Sequence, residues 1–112
     1  MKQRNTTRNE GRFPVRMRIT SEGLPHYQAD ILDLSEGGAK VKLRATPNTD
    51  LKNQRIPFGA TIPAQVYAAF EGMARIAWSQ QTLDGFEIGL QWENLSAKAT
   101  KKLKEALLLA AL

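Results

Sequence analysis

Asp84-Gly85-Phe86-Glu87-Ile88-Gly89-Leu90-Gln91-Trp92 is the stretch that decides the fold class. Phe86, Ile88, Leu90 and Trp92 alternate with Glu87, Gly89 and Gln91, the period of a strand with one buried face. The Asp-Gly ahead of them is a hairpin signal, which makes this strand antiparallel to the one before it. The same period recurs upstream: Phe13, Val15, Met17 and Ile19 alternate with Pro14, Arg16, Arg18 and Thr20. A turn at Ser21-Glu22-Gly23-Leu24-Pro25 leads to a second strand over Gln28 to Leu32. Ala39, Val41 and Leu43 then alternate with Lys40, Lys42 and Arg44, a third strand with a basic outer face.

Residues 45–60 carry two prolines and no sustained period, and read as a long loop. A fourth strand is expected over Thr61 to Tyr67 and a fifth over Gly72 to Trp78. After Asn94-Leu95-Ser96 the period changes: Ala99, Leu103, Ala106, Leu107 and Ala110 share one helical face, with Ser96 or Asn94 as N-cap. About six short strands at hairpin spacing followed by a helix predict an all-β fold, an antiparallel barrel or sandwich with a C-terminal α-helix. Trp78 and Trp92 are expected to fill the barrel.

At 112 residues the chain is one domain. It has no Cys, which excludes disulfides and thiolate metal sites. The apolar run Ala106 to Leu112 is too short to span a bilayer, so a cytoplasmic location is expected, either free or as the cytoplasmic part of a larger membrane protein. The net charge of +5 is localised: residues 1–18 hold six of the sixteen basic residues against Glu10 alone, and the remainder balances. Residues 1–11 are polar and aperiodic, so they read as a flexible basic arm, with the barrel and helix over 12–112. Such an arm suits a polyanion. No Ser-His-Asp set, phosphate-binding loop or carboxylate pair can be assembled, and the lone His26 sits in a turn, so the chain is not expected to be an enzyme, nor to hold a metal or cofactor.

Two motifs carry the binding chemistry: Arg8-Asn9-Glu10-Gly11-Arg12 before the first strand, and Asp33-Leu34-Ser35-Glu36-Gly37-Gly38 after the second. A guanidinium pairs with phosphate, forks onto guanine O6 and N7, and stacks on a purine. A carboxylate such as Asp33 can accept from an edge that offers donors only, as the N1–H and 2-amine of a guanine do. The Ser35 hydroxyl can serve a phosphate or the turn. Gly37 and Gly38 permit positive φ and close approach of an anion.

In this order the Arg-x-x-x-Arg and Asp-x-Ser-x-x-Gly motifs resemble the PilZ domain, the bacterial receptor module for cyclic di-GMP. The late Ile88-Gly89-Leu90 segment is similar to that family too. With the strand count, the resemblance implies a six-stranded antiparallel PilZ-like β-barrel with a closing helix and a non-catalytic cyclic di-GMP sensor. It implies ligand contacts at Arg8, Arg12, Asp33, Ser35 and Gly38, with Arg4, Gly37 and Trp78 as secondary candidates. Thr7 departs from the many members with a further Arg there, a residue associated with binding two stacked ligands. The expected partners are cyclic di-GMP and a protein effector or linked domain. Weak self-association through the helix, apolar all round its last turn, is also expected. Two other readings are a nucleic-acid-binding barrel with a basic arm, less favoured because exposed stacking aromatics are lacking, and a PilZ-like interaction module that binds no nucleotide.

Overall fold

Six strands precede one helix in the computed structural model, which describes residues 13–25, 28–61 and 68–111. They are β1 (Phe13–Thr20), β2 (Gln28–Leu34), β3 (Gly38–Leu43), β4 (Arg55–Thr61), β5 (Ala68–Thr82), β6 (Gly85–Glu93) and α1 (Ala97–Ala111). All neighbours are antiparallel, and the order β1-β2-β3-β6-β5-β4 closes on itself through a β1–β4 pairing. Closure joins the two outer strands over Arg18 to Thr20 and Gly59 to Thr61. The expected six-stranded antiparallel barrel with a C-terminal helix is therefore the fold.

The inward residues are those that the alternation predicts for β1, β3 and β6: Met17 and Ile19, Val41 and Leu43, Ile88 and Leu90 are all buried. Their burial contributes about 1.5–3 kcal/mol for each large aliphatic side chain fully removed from water. One end of the barrel is filled by rings. Phe58 stacks on Trp92 with centroids 4.8 Å apart, and Phe70 meets Trp92 edge-on at 5.4 Å.

The fourth strand departs from expectation. It lies at Arg55–Thr61, inside the stretch read as a loop, and the rest of the expected strand, residues 62–67, lies outside the described residues. Ile56, Phe58 and Ala60 face inward and are buried, whereas Pro57 and Gly59 occupy the alternate positions and mask the pattern. Proline is tolerated there because β4 meets β1 only at Gly59 to Thr61, so at Pro57 it is paired on one side alone. Two other strands run past their expected ends: β2 continues to Leu34, and β5 extends over 15 residues, beyond Gly72 to Trp78 on both sides.

The hairpin signal at Asp84-Gly85 is met by a turn in which Thr82 pairs with Gly85. Ser96 caps α1, its Oγ accepting the Ala99 N–H at 3.0 Å. Ala99, Leu103, Ala106 and Leu107 are buried, and the helix packs on β5 and β1; the side chain of Ala110 lies outside the described set. No helix among the described residues is long and apolar enough to cross a membrane.

Candidate functional site

The Asp33 turn is built by its own backbone. The Ser35 N–H donates to the Gly38 carbonyl at 2.9 Å, and the Ser35 hydroxyl both accepts the Gly38 N–H and donates to the Gly38 carbonyl, each at 3.2 Å. Ser35 is only 8% exposed, so its hydroxyl is committed to the turn. β6 clamps the same turn from outside: the Trp92 N–H reaches the Gly37 carbonyl at 3.0 Å, and the Trp92 indole N–H reaches the Ser35 carbonyl at 3.2 Å. The ring cluster thereby fixes the loop.

The two glycines do not use the positive φ that their lack of a side chain permits. Nothing lies within 4 Å of a Cβ placed on Gly37. Gly38 is needed for close approach instead, since a Cβ there would sit 1.8 Å from the Leu90 carbonyl oxygen.

Asp33 reaches the outer surface by a break in register. Ile31 pairs with Val41 but Asp33 pairs with Lys40, so β2 carries one extra residue, Leu32, against β3. Strict alternation would send Asp33 inward with Ala29 and Ile31. The bulge reverses the parity: Leu34 becomes the buried residue and Asp33 faces out, half-buried.

The same device acts on β5. Ile76 pairs with Leu90 but Trp78 with Gly89, which makes Ala77 the extra residue. Trp78, expected in the interior, is turned outward and is 37% exposed. Trp92 does pack into the barrel end, as expected of it.

The two shifts create one row across the outer wall. Asp33 is the partner of Lys40, Lys40 of Gly89, and Gly89 of Trp78. Three interstrand steps of roughly 4.8 Å put about 14 Å between the ends. Gly89 contributes bare backbone, and the Trp78 indole lies over it. The preceding chain joins this wall at Phe13, the partner of Leu34, with Pro14 opposite Asp33. Arg4, Arg8 and Arg12 of the arm, like His26, lie outside the described residues.

The charges of the next row are engaged with one another. Asp30 faces Arg18 at 3.7 Å and Arg44 at 3.6 Å, and Lys42 binds Asp84 at 2.7 Å. That hydrogen bond raises the Lys42 pKa and lowers that of Asp84. Two shallow cavities, of about 470 and 390 Å³, lie elsewhere and contain none of the candidate residues. Among the described residues no group of His, Cys, Asp and Glu is placed to hold a metal.

Lys40 and Gly89 are not singled out by sequence. Lys40 is legible only as part of the basic face of the third strand, and Gly89 only as one residue of the Ile-Gly segment.

The sequence profile of the PilZ domain matches residues 3–109. The chain belongs to the PilZ domain family. Solved structures agree on the fold. The Bacillus subtilis inhibitor of motility MotI/DgrA superposes with a TM-score of 0.71 at 14% identity, covering 96% of this chain and 51% of that protein. The PilZ domain of YcgR from Escherichia coli, solved with cyclic di-GMP, gives a TM-score of 0.67 at 15% identity, covering 89% of this chain and 88% of that domain. This PilZ chain thus spans about half the length of the Bacillus protein and nearly all of the Escherichia coli domain. No curated protein matches its sequence significantly.

Proposed function

We propose that this PilZ domain is a non-catalytic receptor for cyclic di-GMP, and that the outer row from Asp33 to Trp78 is the wall against which the ligand is held. The carrying observation is the pair of register shifts that turn Asp33 and Trp78 to the same outer face, beside the entry of the basic arm. Each shift leaves one residue without a ladder partner; on β2 it buries Leu34 in place of Asp33, and on β5 it brings the Trp78 ring out of the barrel. A cyclic di-GMP complex of a PilZ domain with the same fold supports the reading.

In this picture Arg8 and Arg12, with Arg4 in support, hold phosphates and guanine Hoogsteen edges. Asp33 accepts from a guanine N1–H and 2-amine, and Trp78 flanks a base. Ser35, Gly37 and Gly38 act through the shape of the turn. Residues 1–11 are polar and become ordered over the nucleotide, and the altered surface is read by an effector or a linked domain in a cytoplasmic setting. Self-association through α1 belongs to the same proposal, supported by Leu108, which is 69% exposed.

Calorimetry with cyclic di-GMP tests the reading and returns stoichiometry, on which Thr7 bears. Binding of a short single-stranded oligonucleotide in preference to cyclic di-GMP, at two salt concentrations, would replace it with the nucleic-acid reading.

A further inference from the structure

Lys40 and Lys42 point outward from the same strand, and their surroundings differ. Lys42 lies between Asp30 and Glu87 in register and is engaged by Asp84 at 2.7 Å. Lys40 is half-buried, and its side chain forms no hydrogen bond or ion pair with a described residue. Its register neighbours are Asp33 on β2 and Gly89 on β6. Gly89 offers only backbone and is covered by the Trp78 indole, so on the β6 side Lys40 is the register neighbour of a glycine that carries an aromatic ring. Directly opposed residues stand roughly 4.5–5.5 Å apart at Cβ, so the Lys40 ammonium and the Asp33 carboxylate can address one planar group together.

We propose that Lys40 takes part in selecting guanine, as the donor to O6 beside Asp33. Resting on the receptor reading above, the assignment concerns which atom each group takes. The Watson–Crick edge of guanine presents two adjacent donors, the 2-amine and N1–H, followed by the O6 acceptor. A carboxylate beside an ammonium is the complementary set: Asp33 accepts from the donors and Lys40 donates to O6. O6 has two lone pairs, so an arm guanidinium on the Hoogsteen side does not compete. Adenine reverses the pattern, with an amine where O6 stood and an acceptor at N1. Lys40 would then face a donor and Asp33 an acceptor, and both mismatches count against the wrong base.

The experiment is calorimetry on the full chain and its Lys40→Met and Lys40→Arg variants with three ligands: cyclic di-GMP, cyclic di-IMP, which keeps O6 but lacks the 2-amine, and cyclic di-AMP, measured by displacement of cyclic di-GMP. The methionine keeps the apolar stem, and circular dichroism verifies the fold. Lys40→Met is expected to weaken cyclic di-GMP and cyclic di-IMP by the same factor, about tenfold or more, with Lys40→Arg retaining most of the affinity. Unchanged cyclic di-GMP affinity in Lys40→Met overturns the assignment while leaving the receptor reading intact. A loss of equal size toward cyclic di-AMP also overturns it, because the ammonium would then be reading phosphate. Failure of the native chain to bind cyclic di-GMP at all removes the receptor reading, and this assignment with it.

Discussion

Trp78 lies across Gly89 so closely that a Cβ on the glycine would come within 2.0 Å of the indole Nε1. The two are register partners on β5 and β6, and the missing side chain of one is the resting place of the other. Gly89→Ala should therefore lift the ring without disturbing the barrel interior. The expected readout is a moved Trp78 indole N–H signal in NMR, with the Trp92 signal, tied to the Ser35 carbonyl, left in place. If Trp78 flanks a base, Trp78→Ala should weaken cyclic di-GMP by about tenfold, since stacking is worth roughly 1–3 kcal/mol per base. Equal affinity in the native and Trp78→Ala proteins would remove Trp78 from the site.

Arg8→Ala, Arg12→Ala and Asp33→Ala should each reduce cyclic di-GMP affinity by about a hundredfold or more, because charge-assisted hydrogen bonds are worth roughly 1.5–3 kcal/mol and the proposed site gives each residue more than one. Tight binding retained by Arg12→Ala would defeat the site assignment. Trypsin cleavage between Arg4 and Arg12 should slow on ligand addition, and equal rates with and without nucleotide would rule out folding of the arm over the ligand.

The Ser35 hydroxyl serves the turn, so its loss should register first as stability. Ser35→Ala removes a buried donor and acceptor and is expected to cost about 1–2 kcal/mol in urea unfolding. Gly38→Ala should cost more, beyond the roughly 1–3 kcal/mol usual for overpacking, because the atom in its way is a backbone carbonyl. A Ser35→Ala protein as stable as the native one would show that the turn does not need the hydroxyl.

The Lys42–Asp84 bond sets a pH window for the β5–β6 hairpin. Asp84 titrates below the ordinary carboxylate range because Lys42 donates to it, so its contribution is present above the unfolded pKa and disappears as pH falls through the depressed folded value. Lys42 titrates above the ordinary lysine range for the reciprocal reason, and its contribution is lost as pH rises through the raised value. Both groups are exposed, so the effect is small and weakened by salt. Carboxyl NMR should find the Asp84 midpoint moving up in Lys42→Ala, and an unmoved midpoint would contradict the pairing.

Leu108 faces solvent on α1 while Leu103, Ala106 and Leu107 are buried. Leu108→Glu with Leu112→Glu should shift any self-associated protein toward monomer in sedimentation velocity, with nucleotide affinity nearly unchanged. A native protein that is strictly monomeric at high micromolar concentration would exclude association through the helix.

Much of the barrel is legible in one dimension. The alternation in Phe86 to Trp92 and in Ala39 to Leu43 names the inward residues correctly, because a strand half-buried on a core repeats every two residues and nothing in those segments interrupts it. The helix is legible through its capping serine and apolar stripe. β4 is not: Pro57 and Gly59 stand on its outer positions, and the strand exists because β5 pairs along its whole length.

Sequence alone thus determined the family motifs, the concentration of positive charge ahead of β1 and the all-β class, since each is a property of residue order. The faces that Asp33 and Trp78 occupy were decided by tertiary structure. A local period of two sends both inward, and each is turned outward because its strand holds one more residue than its neighbour can pair. A bulge belongs to two strands at once, so neither strand read by itself carries it.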